Sequence, residues 1–298
     1  MSSTRKTVDH PAVARLTALA ETAEQQEAQE PRGPAKVIQL PLWPEVKRGA
    51  PNAVLRAALF GAIQGKGRRF LLRKELIATQ DGVTIRYTGG QLDQADLDVW
   101  EQALHLARTQ ALGKKCYFTA HGFLKALGRS TGKHDHTWLD ESLDRLSATS
   151  VSITAGHLTY SGSLIEEYVR DEDTGKYVVV INPKLAKFYG RTQWTQIDWQ
   201  QRQALRRKPL ALWLHGFYAT HAKPYPLTVA YLHKLSGSQT KRLRKFKENL
   251  TQALRDLEAI GAIEAFDIRD DLVHVWTIPS PSQQKHLAAR RPPARRRK

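Results

Sequence analysis

Apolar positions along the chain switch between two periods, and the switches mark out its elements. Leu55, Ala58, Leu59 and Ile63 recur at helical spacing. Two β-like runs follow, residues 70–79 and 83–88, joined at Asp81-Gly82, a dipeptide suited to a tight hairpin turn. Leu97, Trp100, Leu104, Ala107 and Leu112 then trace one face of a long amphipathic helix. A short helix with Phe123, Leu124 and Leu127 comes next, and the Gly/Ser/Thr segment 128–132 ends it. A further helix carries Leu139, Leu143 and Leu146, and strands are expected at 151–154, 158–169 and 176–181.

The same order then recurs. Leu205, Leu212, Trp213 and Phe217 predict a long helix, and Val229, Leu232 and Leu235 a short one. Ser236-Gly237-Ser238 breaks the chain before a helix over 240–260 with Leu243, Phe246, Leu250, Leu254 and Leu257 on one face. Strands at 263–268 and 272–278 flank a turn at Asp270-Asp271. Helix, helix–turn–helix, β-hairpin is the winged-helix order. The expected fold is therefore α+β, with two tandem winged-helix domains and flexible N- and C-terminal tails. The boundaries predicted are a flexible arm with a linear motif over 1–50, winged-helix domains over 51–192 and 193–280, and a basic disordered tail over 281–298.

Composition narrows the function. Hydrophobic residues make up 41% of 298, enough for cores, but the longest apolar runs, such as 210–214, fall far short of a bilayer; a membrane span takes roughly 20 residues. Met1 is followed by polar sequence without a secretory apolar region, and the single cysteine, Cys116, excludes an internal disulfide framework and a thiolate zinc site. The class expected is a soluble protein of the bacterial cytoplasm. The net charge of +17 points to a polyanionic partner, and the chain keeps +10 when the seven Lys/Arg of residues 285–298 are set aside.

The charge has a focus. Five of the seven residues 241–247 are basic: Lys241, Arg242, Arg244, Lys245 and Lys247. With Asn249 and Gln252 they line the helix away from its apolar face, the arrangement of a recognition helix whose N-terminal residues enter the major groove. The corresponding helix of the first unit exposes Asp140, Glu141 and Asp144, and its basic character is confined to its approach, at Arg129, Lys133, His134 and His136. The first domain is expected to make the weaker DNA contact and to carry a self-association surface. Ahead of it, Gln39, Leu40, Leu42 and Trp43 in Gln39-Leu40-Pro41-Leu42-Trp43 are similar to the Gln-Leu-x-Leu-Phe motif by which bacterial proteins dock on the sliding clamp, with Trp in place of Phe. The alternative for Leu42 and Trp43 is packing against the first domain.

Over residues 37–278 the chain resembles the TrfA family of plasmid replication initiators, most clearly at 38–45, 118–128, 138–154, 210–218 and 231–263. The resemblance implies two winged-helix domains that bind double-stranded origin DNA at directly repeated sites (iterons) and open the adjacent A·T-rich DNA. It further implies a homodimer in equilibrium with monomer, host DnaA, replicative helicase and sliding clamp as partners, single-stranded origin DNA as a candidate further one, and no cofactor. The basic end, 291–298, matches nothing in the family.

Two other classes are weighed against this reading. A P-loop ATPase is rejected because the Gly61–Gly67 stretch lacks a spacer residue and has Gly67 where a magnesium-binding hydroxyl belongs. A rolling-circle nickase would place a hydrophobic residue between its two histidines, whereas His134-Asp135-His136 has an acid. No enzymatic activity is expected. A winged-helix transcriptional repressor would share the DNA-binding physics and lack the clamp-like motif.

Overall fold

The computed structural model describes residues 38–63, 67–80, 82–171 and 173–289. In the first half the elements are β1 (Lys47–Pro51), α1 (Asn52–Leu55), β2 (Phe60–Gly61), β3 (Phe70–Ile77), β4 (Val83–Gly90), β5 (Leu92–Asp93) and α2 (Gln94–Ala107). They continue as β6 (Lys115–Thr119), α3 (Ala120–Ala126), α4 (Lys133–Ser147), β7 (Ser150–Ala155), β8 (Leu158–Gly162), β9 (Glu167–Arg170) and β10 (Lys176–Val180). A 3-10 helix (Pro183–Tyr189) leads to β11 (Trp194–Asp198), α5 (Trp199–Ala204) and α6 (Pro209–Ala219). The chain ends with β12 (Leu227–Thr228), α7 (Val229–Leu235), α8 (Leu243–Ala259), β13 (Ile263–Arg269), β14 (Leu272–Thr277) and α9 (Pro281–Ala289).

One plan is built twice. In each half a long helix is followed by a strand, a short helix, a turn, the recognition-type helix and a hairpin. The sheets have the same order, β6-β10-β9 and β12-β14-β13, so the strand before the short helix pairs with the last strand of the hairpin. The local devices match as well. Thr119 and Thr228 cap α3 and α7 with their hydroxyls, accepting from the backbone N–H of Gly122 and Tyr231. Gly128 and Gly237 sit in the turns with φ of +66° and +62°, a conformation glycine adopts without steric cost. The fold is α+β, two tandem winged-helix domains. The first wing is β9–β10 rather than the earlier hairpin; β7–β8 instead join β3–β4 in a separate four-stranded antiparallel sheet. The run expected as one strand over 158–169 is thus split between two sheets.

Two apolar cores divide the described chain. One gathers side chains from Leu40 to Trp199 around α2, which is buried on nearly every side; the other gathers Leu205 to Val275, joined by Ala62. The junction therefore lies at about residues 200–204 rather than 192–193. The cause is β11, which pairs antiparallel with β1 from Lys47↔Asp198 to Pro51↔Trp194 and buries Ile197 in the first core.

Other departures have local causes. The helix expected through 205–217 is broken, because Pro209 at the first position of α6 bars its predecessor from helical geometry and Arg207 adopts a φ of +67°. The helix expected through 55–63 is a single turn, since the chain straightens to pair β2 with β5. The tail expected to be disordered from 281 forms α9. Ser280 and Gln283 cap it reciprocally, and Gln283 Nε2 donates to Ala219 O at 2.9 Å. The arm 1–37, the central residues of the Gly61–Gly67 stretch, Asp81 of the first hairpin and the tail 290–298 lie outside the described residues.

The linear motif is part of the fold. Leu40 and Trp43 belong to the first core, with Trp43 only 4% exposed, stacked on Tyr189 (centroids 6.2 Å) and against Trp194 (5.7 Å). Trp43 Nε1 donates to His105 Nδ1 at 3.0 Å, so the neutral ring carries its proton on Nε2 and donates it to the Glu45 carboxylate at 2.8 Å. Arg108 binds the same carboxylate, and Gln39 Nε2 donates to Arg108 O. The expectation that Leu42 and Trp43 project together as docking anchors is corrected: Leu42, 68% exposed, projects alone, because a rigid aromatic surrounded by rings gains more from burial than from solvent. Trp43→Ala is expected to lower the unfolding free energy by roughly 3–5 kcal/mol, and Leu42→Ala by less than about 0.5 kcal/mol, as read by urea denaturation.

The buried histidines give the fold a pH dependence. Burial holds His105 at about 4, His215 at about 3 and His221 at about 4, against an ordinary 6.5. The unfolded chain binds protons on these rings in the interval between those values and the native chain does not, so stability falls as pH drops from 6.5 towards 4. Glu45, held low by its hydrogen bond with His105, acts in the same direction. Burial pushes Glu101 up to about 7 and Asp93 to about 6, and raises Asp98. These act in the opposite direction, since the native chain keeps protons that the unfolded chain releases. The loss of melting temperature between about pH 6.5 and pH 4 should therefore be smaller in His221→Gln than in the wild-type chain, and identical profiles would contradict a buried neutral imidazole at that position.

Candidate nucleic-acid interface

Helix α8 presents the basic patch. Phe246, Leu250, Ala253, Leu254 and Leu257 bury one face, while Lys241, Arg242, Arg244 and Lys245 are exposed at its start. Leu243, expected on the buried face, is 44% exposed, because as the first helical residue it lies beyond the end of the apolar stripe. No side chain caps this N-terminus and no acid lies in its first turn. Its leading N–H groups and the positive end of the helix dipole therefore reinforce the cations, a combination suited to a phosphate. The turn before it is held by His233, whose Nε2 donates to Thr240 O at 2.8 Å, and by Ser238, whose hydroxyl donates to that of Thr240.

The seven side chains singled out on α8 are not equivalent. Lys241 and Arg242 have no ion pair among the described residues, whereas Arg244 (4.0 Å) and Lys245 (3.1 Å) share Glu248. Lys247 pairs with Asp271 at the tip of the second wing (2.6 Å), so it secures the β13–β14 turn to the helix. Asp270 and Asp271 both have positive φ there, the mirror-image turn that matches strand twist. Gln252 is exposed and donates to Asp256 at 3.3 Å; Asn249 is half-buried in a cleft of about 240 Å³ with Leu210, Ser238, Gln239 and Thr240.

The corresponding helix α4 carries less free charge. Lys133 and His134 are exposed in its first turn, but Arg129 lies over the Trp138 ring (3.5 Å to the centroid) and pairs with Asp135 at 2.9 Å. The hydroxyl of Ser130 and the Arg129 guanidinium hold the Asp135 carboxyl below its ordinary range. Asp140, Glu141 and Asp144 were expected to project outward; Asp144 is exposed and Asp140 half-buried, and both carboxylates engage the first wing. Asp140 accepts from Arg170 (2.7 Å) and the Tyr177 hydroxyl, and Asp144 from the Tyr168 hydroxyl. Glu141 is exposed, as expected. No group of three or more His, Cys, Asp or Glu that could hold a metal occurs among the described residues.

The candidate residues thus fall into three places. Lys241, Arg242, Arg244 and Lys245 form one patch, Lys133 and His134 a second, and Gln39–Trp43 packs by the C-terminal end of α2, apart from both. Sequence reasoning missed the buried cluster behind them. Arg202 of α5 binds Asp98 and reaches Gln94 Oε1 (3.1 Å), both on α2, and donates to Leu212 O of α6 (3.3 Å). The signal was present: Gln94, Asp98, Glu101 and Gln102 interrupt a helix that is otherwise apolar on most sides.

This doubled plan, with its basic second recognition helix, has a counterpart in known sequences. The family described as TrfA protein matches residues 5–277. The chain belongs to the TrfA family. A curated relative, the plasmid replication initiator protein TrfA of Escherichia coli, is 31% identical over 241 residues, covering 78% of this chain and 62% of the relative. The chain thus corresponds to about three-fifths of that relative's length. Solved structures overlap it weakly. Domains 2–3 of RctB give a TM-score of 0.48 at 12% identity, over 78% of this chain and 98% of that one. The Pi initiator protein in complex with iteron DNA gives 0.47 at 12%, over 61% and 94%. No helix among the described residues is long and apolar enough to cross a membrane.

Within the TrfA scaffold the two patches differ in free charge, and this yields a measurable ranking. Replacing Lys241, Arg244 and Lys245 with Ala should weaken duplex binding strongly and lower the slope of log affinity against log salt, by roughly 0.9 for each phosphate no longer neutralised. Replacing Arg129 and Lys133 should do less per charge removed, because Arg129 is held to Asp135 in a largely buried pair, whereas Arg244 and Lys245 share one exposed acid, Glu248, beside an uncapped helix start. Equal losses per charge in a salt titration would contradict that ranking.

Proposed function

We propose that this chain initiates plasmid replication by binding directly repeated duplex sites in the plasmid origin, with α8 in the major groove as the principal contact and the start of α4 as a lesser one. The observation that carries the reading is the uncapped, acid-free N-terminus of α8 with Lys241 and Arg242 unpaired beside it. Membership of the TrfA family supports the plasmid-origin target, as does a relative that is a plasmid replication initiator. The chain acts by binding, not by catalysis: the energy of seating two winged helices on repeated sites is used to open the neighbouring A·T-rich duplex, with single-stranded origin DNA as a second ligand.

The partners proposed with this reading are host DnaA, the replicative helicase, and a second copy of the chain in equilibrium with the monomer. The edge strand β3, with Phe70, Leu72 and Leu76 exposed, supports self-association through the first domain. Docking on the sliding clamp is proposed with a condition. Leu42 is already presented, but Trp43 must leave its ring-lined site and its hydrogen bond to His105 before it can serve as a second anchor.

Origin opening separates this reading from simple duplex coverage. Incubated with a supercoiled plasmid bearing the origin repeats, the chain with its host partners should render the A·T-rich segment reactive to single-strand-specific probes. Protection of the repeats without such reactivity would mark a protein that only covers DNA, and a covalent tyrosine adduct would mark a nickase.

A further inference from the structure

The connector between α5 and α6 carries Arg206, Arg207 and Lys208 in succession, all exposed. Arg207 has a φ of +67°, the left-handed region that a side chain other than Gly, Asn or Asp enters at a cost. Two neighbours hold it there. Arg206 and Lys208 close turns onto Gln203 O and Leu205 O, and Pro209 fixes the start of α6. The connector is thus a rigid corner with the Arg207 side chain at its apex.

That corner lies between the two helix–turn–helix units. Arg207 lines a cleft of about 110 Å³ with Leu127, Arg129 and Trp138 of the first unit, and Arg206 lines it too. On its other side Arg207 lines a cleft of about 280 Å³ with Asn249 and Gln252 of the second recognition helix. Arg206 reaches over the first turn as well: a Cβ placed on Gly128 would meet its guanidinium at 3.6 Å. The acids near these clefts are already engaged, Asp256 by Lys208 at 2.9 Å, Asp98 by Arg202 and Asp93 by Arg68. Neither the Arg206 nor the Arg207 guanidinium has a carboxylate or hydrogen-bond partner among the described residues.

We propose that Arg206 and Arg207 form a third DNA contact, a clamp on the phosphodiester backbone where the duplex passes between the two helix–turn–helix units. This rests on the duplex-binding reading of α8 and α4. Two recognition helices on one duplex leave a stretch of backbone between them, and unpaired guanidinium groups at a fixed corner bind phosphates in bidentate fashion. The contact is indifferent to base sequence and sets the register of one domain on DNA relative to the other. A strained residue is retained at the apex because its direction, rather than its stability, is what binding uses.

The test is a salt titration of binding to a duplex bearing the origin repeat, with a shuffled duplex as control. Arg206→Ala with Arg207→Ala should weaken both complexes and lower the slope of log affinity against log salt by roughly one to two, and the double Lys variant should keep the slope. Arg207→Gly is the decisive variant, since glycine accepts the positive φ freely. It should melt at the same temperature or higher and still lose about half of the slope change, whereas a merely structural Arg207 would lose melting temperature and affinity together. An unchanged slope in the double Ala variant overturns the clamp alone if Lys241→Ala with Arg244→Ala still abolishes binding. A wild-type chain with no preference for the repeat duplex overturns the duplex-binding reading and the clamp with it.

Discussion

A buried guanidinium ties the two winged helices together at the centre of their contact. Arg202 is fully enclosed, and its N–H groups are directed at Asp98, at the Gln94 backbone and side chain, and at the carbonyl of Leu212. Removing a charge from water costs several kcal/mol, and only a full set of partners offsets it. Those partners come from α2 in the first core and α6 in the second, so the set is complete only when the two helices lie as they do. Glu101 shows the cost. It lies 3.4 Å from Arg202 with both carboxylate oxygens lacking a hydrogen bond, and burial pushes its carboxyl up to about 7. Apolar side chains could fill this space at least as stably. What the charged set adds is a single geometry, which the proposed seating of both recognition helices on one duplex would use.

The duplicated plan diverges in what each half does with its acids. In the second domain the acid of the wing tip, Asp271, takes up Lys247 and leaves Lys241 and Arg242 free at the helix start. In the first domain Asp140 and Asp144 fasten the wing to α4 through Arg170, Tyr168 and Tyr177, while Asp135 takes up Arg129. The same three elements therefore make an openly basic surface in one case and an internally satisfied one in the other. The first domain has a further sheet, β3-β4-β7-β8, whose edge strand β3 leaves Phe70, Leu72 and Leu76 exposed.

Much of this was legible in the sequence, and the failures share a cause. The repeated order of helix, turn, helix and hairpin could be read because its signals are local: apolar period and a Gly in each turn. The basic patch at the start of α8 was legible for the same reason, five cations in seven residues across its N-terminus. What was misread depends on contacts distant in sequence. Trp43 looked exposed because it sits between an arm expected to be flexible and the first domain, yet its site is built by His105, Tyr189 and Trp194, up to 151 positions away. β11 was assigned to the second domain because nothing nearby shows that its partner is β1. Asp140 and Asp144 looked free because their partners lie some 24 to 37 positions on, beyond an intervening hairpin. Two misses were local and avoidable: Pro209, which forbids a continuous helix, and the Ser280-x-x-Gln283 capping box, which announces α9.

The charge of the chain is consequently a poor map of its contacts. A net +17 counts every Lys and Arg alike, but a cation already paired with a carboxylate brings little to a polyanion, because the new contact must first break the old one. Arg129 and Lys247 belong to that group, each with an acid within 3 Å. Lys241 and Arg242 do not, and they stand where a helix terminus adds its own positive end. Counting free cations rather than all cations reduces a diffuse basic surface to a few positions. Those positions lie at the uncapped start of α8, where the proposed groove contact would need them and the fold need not deform to present them.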